Sequence, residues 1–298
     1  MTGPLLAIDV GGTKIAVGLV DSGGTLLTAA KHPTPRGEGP EAVWATLAEL
    51  IAEQTAGIAV RGVGIASAGP VDLPSGTVSP INLTDWRRFP IRDRVAELLP
   101  GLPVRLAGDG AAMALGEHWR GAGQGASYVL GMVVSTGVGG GLVLDGLPYG
   151  GRTGNAGHVG HVVVEPEGRP CSCGGHGCVE TVAAGPHLVE WAREQGWTGP
   201  DDARDLAAAA DAGDPIALAA FDRAGVALAA MVASVAAVCD LDRVVVGGGV
   251  AKAGELLFGP LNRALGRFAG LDFIARLQAV PAELGGDAGL IGAAALAR

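Results

Sequence analysis

Three of the chain's four cysteines fall within eight residues, Cys171-Ser172-Cys173-Gly174-Gly175-His176-Gly177-Cys178, and His161 stands ten positions before the first of them. One imidazole and three thiolates make a closed tetrahedral zinc set. The glycines let a short loop wrap an ion, because glycine reaches positive φ without a steric penalty. His176 lies inside the loop and competes with His161 as the nitrogen ligand. Residues between closely spaced ligands usually form the turn, which favours His161. A disulfide is the weaker reading: Cys171 and Cys173 are too close for an ordinary bridge, and no secretory signal precedes them. Four protein ligands leave no open position, so the zinc is expected to be structural and the chemistry to lie elsewhere.

Three glycine-rich turns and one carboxylate offer that chemistry. In Asp9-Val10-Gly11-Gly12-Thr13-Lys14 an acidic residue ends an apolar run, and two glycines expose backbone N–H groups before a hydroxyl. Such a turn cradles phosphate oxygens, and the carboxylate holds Mg²⁺ through water. A plain Gly-Gly hairpin is the competing reading. Ser135-Thr136-Gly137-Val138-Gly139-Gly140-Gly141 repeats the device in the second half. Two such turns together would grip a polyphosphate from both sides. Gly247-Gly248-Gly249 follows Val244–Val246 and lets a flat ring approach the backbone, or simply turns the chain into a helix. Asp109, between Gly108 and Gly110, ends a short apolar run. It is placed either as a general base for a hydroxyl or as the cap of a helix over 111–120. His158, His161 and Glu180 flank the cysteine loop and can direct polar groups into one pocket, as a hydroxyl-rich ligand requires.

The elements that must position these residues alternate along the chain. Strands are expected at 5–10, 14–21, 25–34, 61–68, 103–107, 128–136, 142–145, 243–246 and 273–280. Helices are expected at 41–54, 91–99, 111–120, 181–194, 202–212, 215–239, 254–268 and 288–298. Residues 137–141 read as a turn. The order strand, glycine turn with a hydroxyl, strand occurs in both halves, so the class is α/β with two related domains around a cleft. The expected division is 1–107, completed by the helix at 288–298, and 108–287, which carries the cysteine loop 161–180.

Composition narrows the partners. Hydrophobic residues make up 48% and aromatics 4% of 298 residues, so the core is expected from Ala, Val and Leu. Asp and Glu number 30 against 21 Lys and Arg, a net charge of −9, which disfavours broad nucleic-acid binding. The longest apolar run, 226–239, is too short to span a bilayer and reads as a buried helix. With no secretory signal, the expected location is the cytoplasm, with no membrane partner.

These segments, with Ala156-Gly157-His158-Val159-Gly160-His161 and Asp287-Ala288-Gly289-Leu290-Ile291-Gly292, resemble the ROK family of sugar kinases and sugar-responsive repressors. The resemblance covers essentially the whole chain. The cysteine signature is its specific part; the phosphate turns are shared with the wider actin/hexokinase superfamily. It implies an actin-like ATPase fold, ATP and Mg²⁺, transfer to a sugar 6-hydroxyl, and a homodimer or homotetramer. It implies Asp109 as catalytic base and Asn82, His161 and Glu180 as sugar contacts, with His161 also a zinc ligand. The phosphate and adenosine regions would be Asp9, Gly11, Gly12, Thr13, Lys14, Thr136, Gly137, Gly139, Gly247, Gly248 and Gly249. Glucose is the first expected substrate, with N-acetylmannosamine or N-acetylglucosamine as alternatives. Two departures stand out. Gly108 replaces the family's common Asn before the base, and His158 replaces the Glu usual in glucokinases. An N-acetylmannosamine kinase branch also has His there. A sugar-binding protein without catalysis is one rival. A repressor is the other, for which a winged helix before Asp9 has no room.

Overall fold

Leu5–Val10 (β1) and Lys14–Val20 (β2) are runs of Leu, Ile, Val and Ala parted by Gly11-Gly12-Thr13, and they pair antiparallel with Asp9 opposite Ala16. They open the computed structural model, which describes residues 3–298. Leu26–Pro33 (β3) pairs with the free side of β2. Pro40–Thr55 (α1) buries Val43, Leu47, Leu50 and Ile51, the stripe of a core-facing helix. Val63–Ser67 (β4) is buried throughout and runs parallel to β1. Val71–Asp72 (β5) and Thr77–Val78 (β6) form a small separate hairpin. Ile91–Leu98 (α2) then leads to Val104–Gly108 (β7), parallel to β4. Asp109–Arg120 (α3) leaves this sheet for a second one.

The second sheet starts again with a hairpin, Tyr128–Val134 (β8) and Val138–Leu144 (β9), to which Leu147–Tyr149 (β10) adds. After the cysteine loop come Glu180–Ala183 (α4), Gly185–Glu194 (α5), Ala203–Asp211 (α6) and Pro215–Cys239 (α7). Arg243–Gly247 (β11), Glu255–Phe268 (α8), Ala279–Pro281 (β12) and Ala288–Leu296 (α9) close the chain. The strand orders are β3-β2-β1-β4-β7 and β10-β9-β8-β11-β12. The same order occurs twice, as the repeated hairpin led one to expect. By length and composition α7 could cross a membrane, but Leu228, Met231 and Val232 are fully buried and it is the central helix of the second core.

Three expected boundaries are corrected. Only Ser135–Gly137 turns; Val138, Gly139, Gly140 and Gly141 belong to β9. A Cβ on Gly141 would lie 2.3 Å from the Ala111 α-carbon, so glycine there lets β9 press against α3. The helix expected at 181–194 is two, broken at Ala184, whose extended backbone (ψ 146°) lets Gly185 N–H bond to the Ser135 carbonyl at 2.7 Å. The strand expected at 273–280 shrinks to β12. Ile274 and Leu277 bond back to Leu271 and Ile274 in successive turns before it.

Register lines up the strand ends. Val10 faces Ser67 and Ser67 faces Gly108 in parallel pairs, while Val133 faces Gly247 in the second sheet. The turns after β1 and β7, and those after β8 and β11, therefore open at carboxyl edges, where open α/β sheets place their ligands. Between the sheets α3 and α9 cross backbone to backbone. A Cβ on Gly292 would lie 1.7 Å from the Ala112 carbonyl oxygen, and one on Gly116 2.6 Å from the Ala288 oxygen. In an exposed helix Gly→Ala stabilises by about 1 kcal/mol. Here the sign reverses: Gly292→Ala should destabilise by at least ~1–3 kcal/mol, read as a fall in the urea midpoint.

Candidate functional site

Asp9, near the end of β1, and Asp109, directly after β7, lie at the same carboxyl edge of the first sheet. With β4 between β1 and β7, strand spacing puts their backbones roughly 10 Å apart, close enough for their charges to interact. Burial raises the Asp9 carboxyl to about 6, the Asp109 charge adding to the rise and Lys14 and Lys31 opposing it. The Asp109 carboxyl is also raised, first by burial, with the Gly110 N–H and the His158 charge drawing it back. Protein surrounds Asp109 on most sides, yet its side chain still opens to solvent along the cleft. Asp109 is the first residue of α3, whose cap position belongs to Gly108, and its Oδ1 accepts from Gly110 N–H at 2.8 Å. Among the described residues no other side chain hydrogen-bonds the Asp109 carboxylate.

The first glycine turn is braced from outside. Thr34 Oγ1 donates to the Gly11 carbonyl at 2.7 Å, and Arg36 Nε donates to that of Gly12 at 3.0 Å. A Cβ on Gly12 would lie 2.5 Å from Asn82 Cγ, so the turn and Asn82 are in contact. The segment after Asn82 is anchored by Trp86, fully buried and stacked on Phe89 at 4.1 Å, with its indole N–H bonded to the Pro40 carbonyl and its backbone N–H to that of Leu83. Thr13 and Lys14 stand exposed beyond the turn.

Opposite lies the cysteine loop. His158 is exposed, with its ring against Gly69 and its centroid 6.4 Å from that of His161. His161 closes a 3₁₀ turn at Val159–His161. Glu180 opens α4 two residues after Cys178, and its Oε2 accepts from Val138 N–H at 2.8 Å. The same oxygen would be 2.7 Å from a Cβ on Gly137. One carboxylate thus joins the cysteine loop to the second glycine turn.

The donor set fits a zinc ion. His161, Cys171, Cys173 and Cys178 bring ligand atoms within 4.8 Å of one another, and His176 does not join them. Cys171 Sγ lies 3.7 Å from His161 Nδ1, and Cys173 Sγ 3.7 Å from Cys178 Sγ. The edge of a tetrahedron with ~2.3 Å zinc–sulfur bonds is about 3.8 Å. The cysteines are free thiols. Burial, then the neighbouring thiols, push Cys178 up to about 12, while the Gly175 N–H first and Cys171 next lower Cys173. Thiols so close cannot all ionise unless a cation sits among them.

A cavity of about 830 Å³ opens from the second glycine turn. Ser135 and Thr136 stand at its mouth, with Gly249 and Lys252 after β11, Pro186 at the start of α5, and Arg204 on α6. Of the third glycine run only Gly249 lines it. Gly247 packs near Ala282 and Met113, and Gly248, at φ 99°, rests on the Val134 backbone. Gly139 stands clear of other groups on β9. Sequence reasoning missed the walls given by α5 and α6, where Pro186, Val189 and Ala207 are ordinary helix residues without a motif. The Gly185-Pro186 break, tied to Ser135, was the available signal.

Residues 5–298 match the model of the ROK family. The chain is 38% identical to the glucokinase of Thermotoga maritima, over 98% of this chain and 96% of that protein. It is 37% identical to the N-acetylmannosamine kinase of Yersinia pestis, over 98% of each. The crystal structure of a ROK family glucokinase from Streptomyces griseus, in complex with glucose and AMPPNP, superposes with a TM-score of 0.81 and 36% identity over 99% of each chain.

Proposed function

Since the chain belongs to the ROK family, we propose that it is an ATP-dependent hexokinase that transfers the γ-phosphate to the 6-hydroxyl of glucose. The actin-like ATPase fold with two domains supplies the cleft. One observation carries the assignment of the base. Asp109 follows the carboxyl end of β7, where its charge reaches Asp9 of the first phosphate turn and raises that carboxyl, while the charge of His158, in the loop beside the cysteines, draws the Asp109 carboxyl itself back down. A carboxylate there meets a sugar hydroxyl on one side and a terminal phosphoryl on the other.

ATP is taken to lie along the cavity from Thr136 to Arg204, its phosphates over Gly137 and the Gly11-Gly12 turn. Asn82, His158, His161 and Glu180 orient the sugar. Asp109 accepts the 6-hydroxyl proton as that oxygen attacks the γ-phosphorus in line. Most of the rate comes from position and charge neutralisation rather than covalent chemistry. Domain closure excludes water from the attack. Zinc would be held by His161, Cys171, Cys173 and Cys178, where it would supply a rigid loop and take no part in transfer. Mg²⁺ would supply charge neutralisation on the phosphates, and the Asp9 carboxylate would hold it. We place the enzyme in the cytoplasm as a homodimer or homotetramer, with no nucleic-acid or membrane partner.

N-acetylmannosamine is the second reading, favoured by the 37% identical relative and by the imidazole of His158 at the sugar side. A coupled assay over glucose, N-acetylmannosamine and N-acetylglucosamine, with ATP or inorganic polyphosphate, tests both. The highest kcat/KM is expected for glucose with ATP. A preference for an N-acetylated sugar would move the assignment to the second reading, and no turnover of any sugar would refute the kinase.

A further inference from the structure

The chain passes between the two sheets twice, and one buried carboxylate ties the passages together. The first passage is Gly108–Asp109, from β7 into α3; the second runs from β12 through 282–287 into α9. Glu117 on α3 is fully buried and makes no ion pair among the described residues. Its partners are backbone N–H groups. Oε2 accepts from Ala122 at 3.0 Å and from Glu283 at 3.2 Å, and Oε1 accepts from Leu284 at 2.9 Å. Ala122 lies on the exit from α3, and Glu283 and Leu284 lie on the approach to α9. Glu117 also follows Gly116 directly, where the two helices cross.

Freedom begins just beyond this clip. Gly285, at φ 54°, and Gly286 have no neighbouring group where a Cβ would stand, and neither does Gly108 on the other passage. Each passage therefore holds glycine in open space, flanking a crossing where backbones touch. Hinges are a few residues of this kind that absorb φ/ψ change while packed elements turn as bodies.

We propose that Glu117 is a positioning residue for domain closure. Its carboxylate fixes the second passage to α3, so closure turns on the Gly116–Gly292 crossing and bends at Gly108 and Gly285-Gly286. The proposal rests on the kinase reading of the cleft. The reacting groups sit on the two bodies that move. Asp109 begins α3, and a Cβ on Gly289 of α9 would lie 2.5 Å from Asp9 Oδ2. A clip that slips shifts Asp109 against the Asp9 turn. In Glu117→Gln one acceptor oxygen becomes an NH₂ group facing backbone N–H donors, which leaves at least one of them unpaired.

The test uses the full chain with Glu117→Gln and, as a second variant, Gly286→Ala, which fits the open space but narrows the hinge's backbone freedom. Four quantities are read: kcat and KM for glucose, ATP hydrolysed per glucose phosphorylated, and the glucose-induced fall in radius of gyration by small-angle scattering. Glu117→Gln is expected to lower kcat at least about tenfold, to raise hydrolysis per transfer, and to diminish the compaction. Gly286→Ala should move all three in the same direction. A folded Glu117→Gln protein with wild-type kcat, KM, coupling and compaction would make the carboxylate a helix-end cap and overturn the proposal. If that variant fails to fold, an unchanged Gly286→Ala protein overturns it instead. Failure of the wild-type protein to phosphorylate glucose would refute the functional reading, a separate outcome.

Discussion

Asp109→Asn is expected to lower kcat for glucose phosphorylation by at least about 10²–10⁴-fold while glucose binding, measured by calorimetry, stays within a few-fold of wild type. That range corresponds to about 3–5 kcal/mol of barrier. Asparagine keeps the volume and can still hydrogen-bond the 6-hydroxyl, but it cannot take the proton. The pH profile gives a second readout. Burial raises the Asp109 carboxyl above its ordinary 3.8, and the proposed base acts in its ionised form. The acid limb of kcat/KM should therefore lie higher than an ordinary aspartate would give, with rate lost as pH falls through it. In Asp109→Asn the residual limb should move to lower pH, because Asp9, held at about 6 partly by the Asp109 charge, loses that contribution. A variant with near-normal kcat would remove Asp109 from the role of base.

Cys173→Ala should reduce bound zinc from about one per chain to near none by metal analysis, and lower kcat/KM for glucose by more than tenfold. Losing a group that merely orients a ligand typically costs about 10–100-fold in metal affinity or activity, so losing a ligand itself should cost no less. The path from this loop to the proposed sugar contacts is short. His161 belongs to the candidate ligand set, and Glu180 follows Cys178 by two residues and holds Val138 N–H at the start of β9, directly after the second glycine turn. A loop without its ion frees both groups at once. Thr181 Oγ1 still bonds the Cys178 carbonyl and Val179 N–H the Val162 carbonyl, so the α4 end should stay ordered and the protein folded. Full activity in zinc-free Cys173→Ala would separate the loop from sugar recognition.

What was legible came from residues whose chemistry is local. Asp9-Val10-Gly11-Gly12 and Ser135-Thr136-Gly137 show themselves by strand propensity broken by glycine, and the same strand order recurs in both sheets. The cysteine cluster was visible because Cys is scarce elsewhere in the chain. Long-range consequences were not visible. Val138-Gly139-Gly140-Gly141 looked like a turn because glycine breaks strands, yet these glycines admit α3 against β9. Residues 273–280 looked like a strand because a short apolar run has no distinguishing period. The cavity walls on α5 and α6 carry no motif. Glu117 reads as a helix surface charge until the fold brings Glu283 and Leu284 to it.

The most direct measurement is a crystal structure of this protein with glucose and a non-hydrolysable ATP analogue. It should show an Asp109 carboxylate oxygen about 2.6–3.2 Å from the glucose 6-oxygen, with that oxygen in line with the terminal phosphorus and the nucleotide in the cavity beside Thr136. A sugar bound with its 6-oxygen turned away from Asp109, or a closed ternary complex in which that carboxylate touches only Gly110 N–H, would contradict the account.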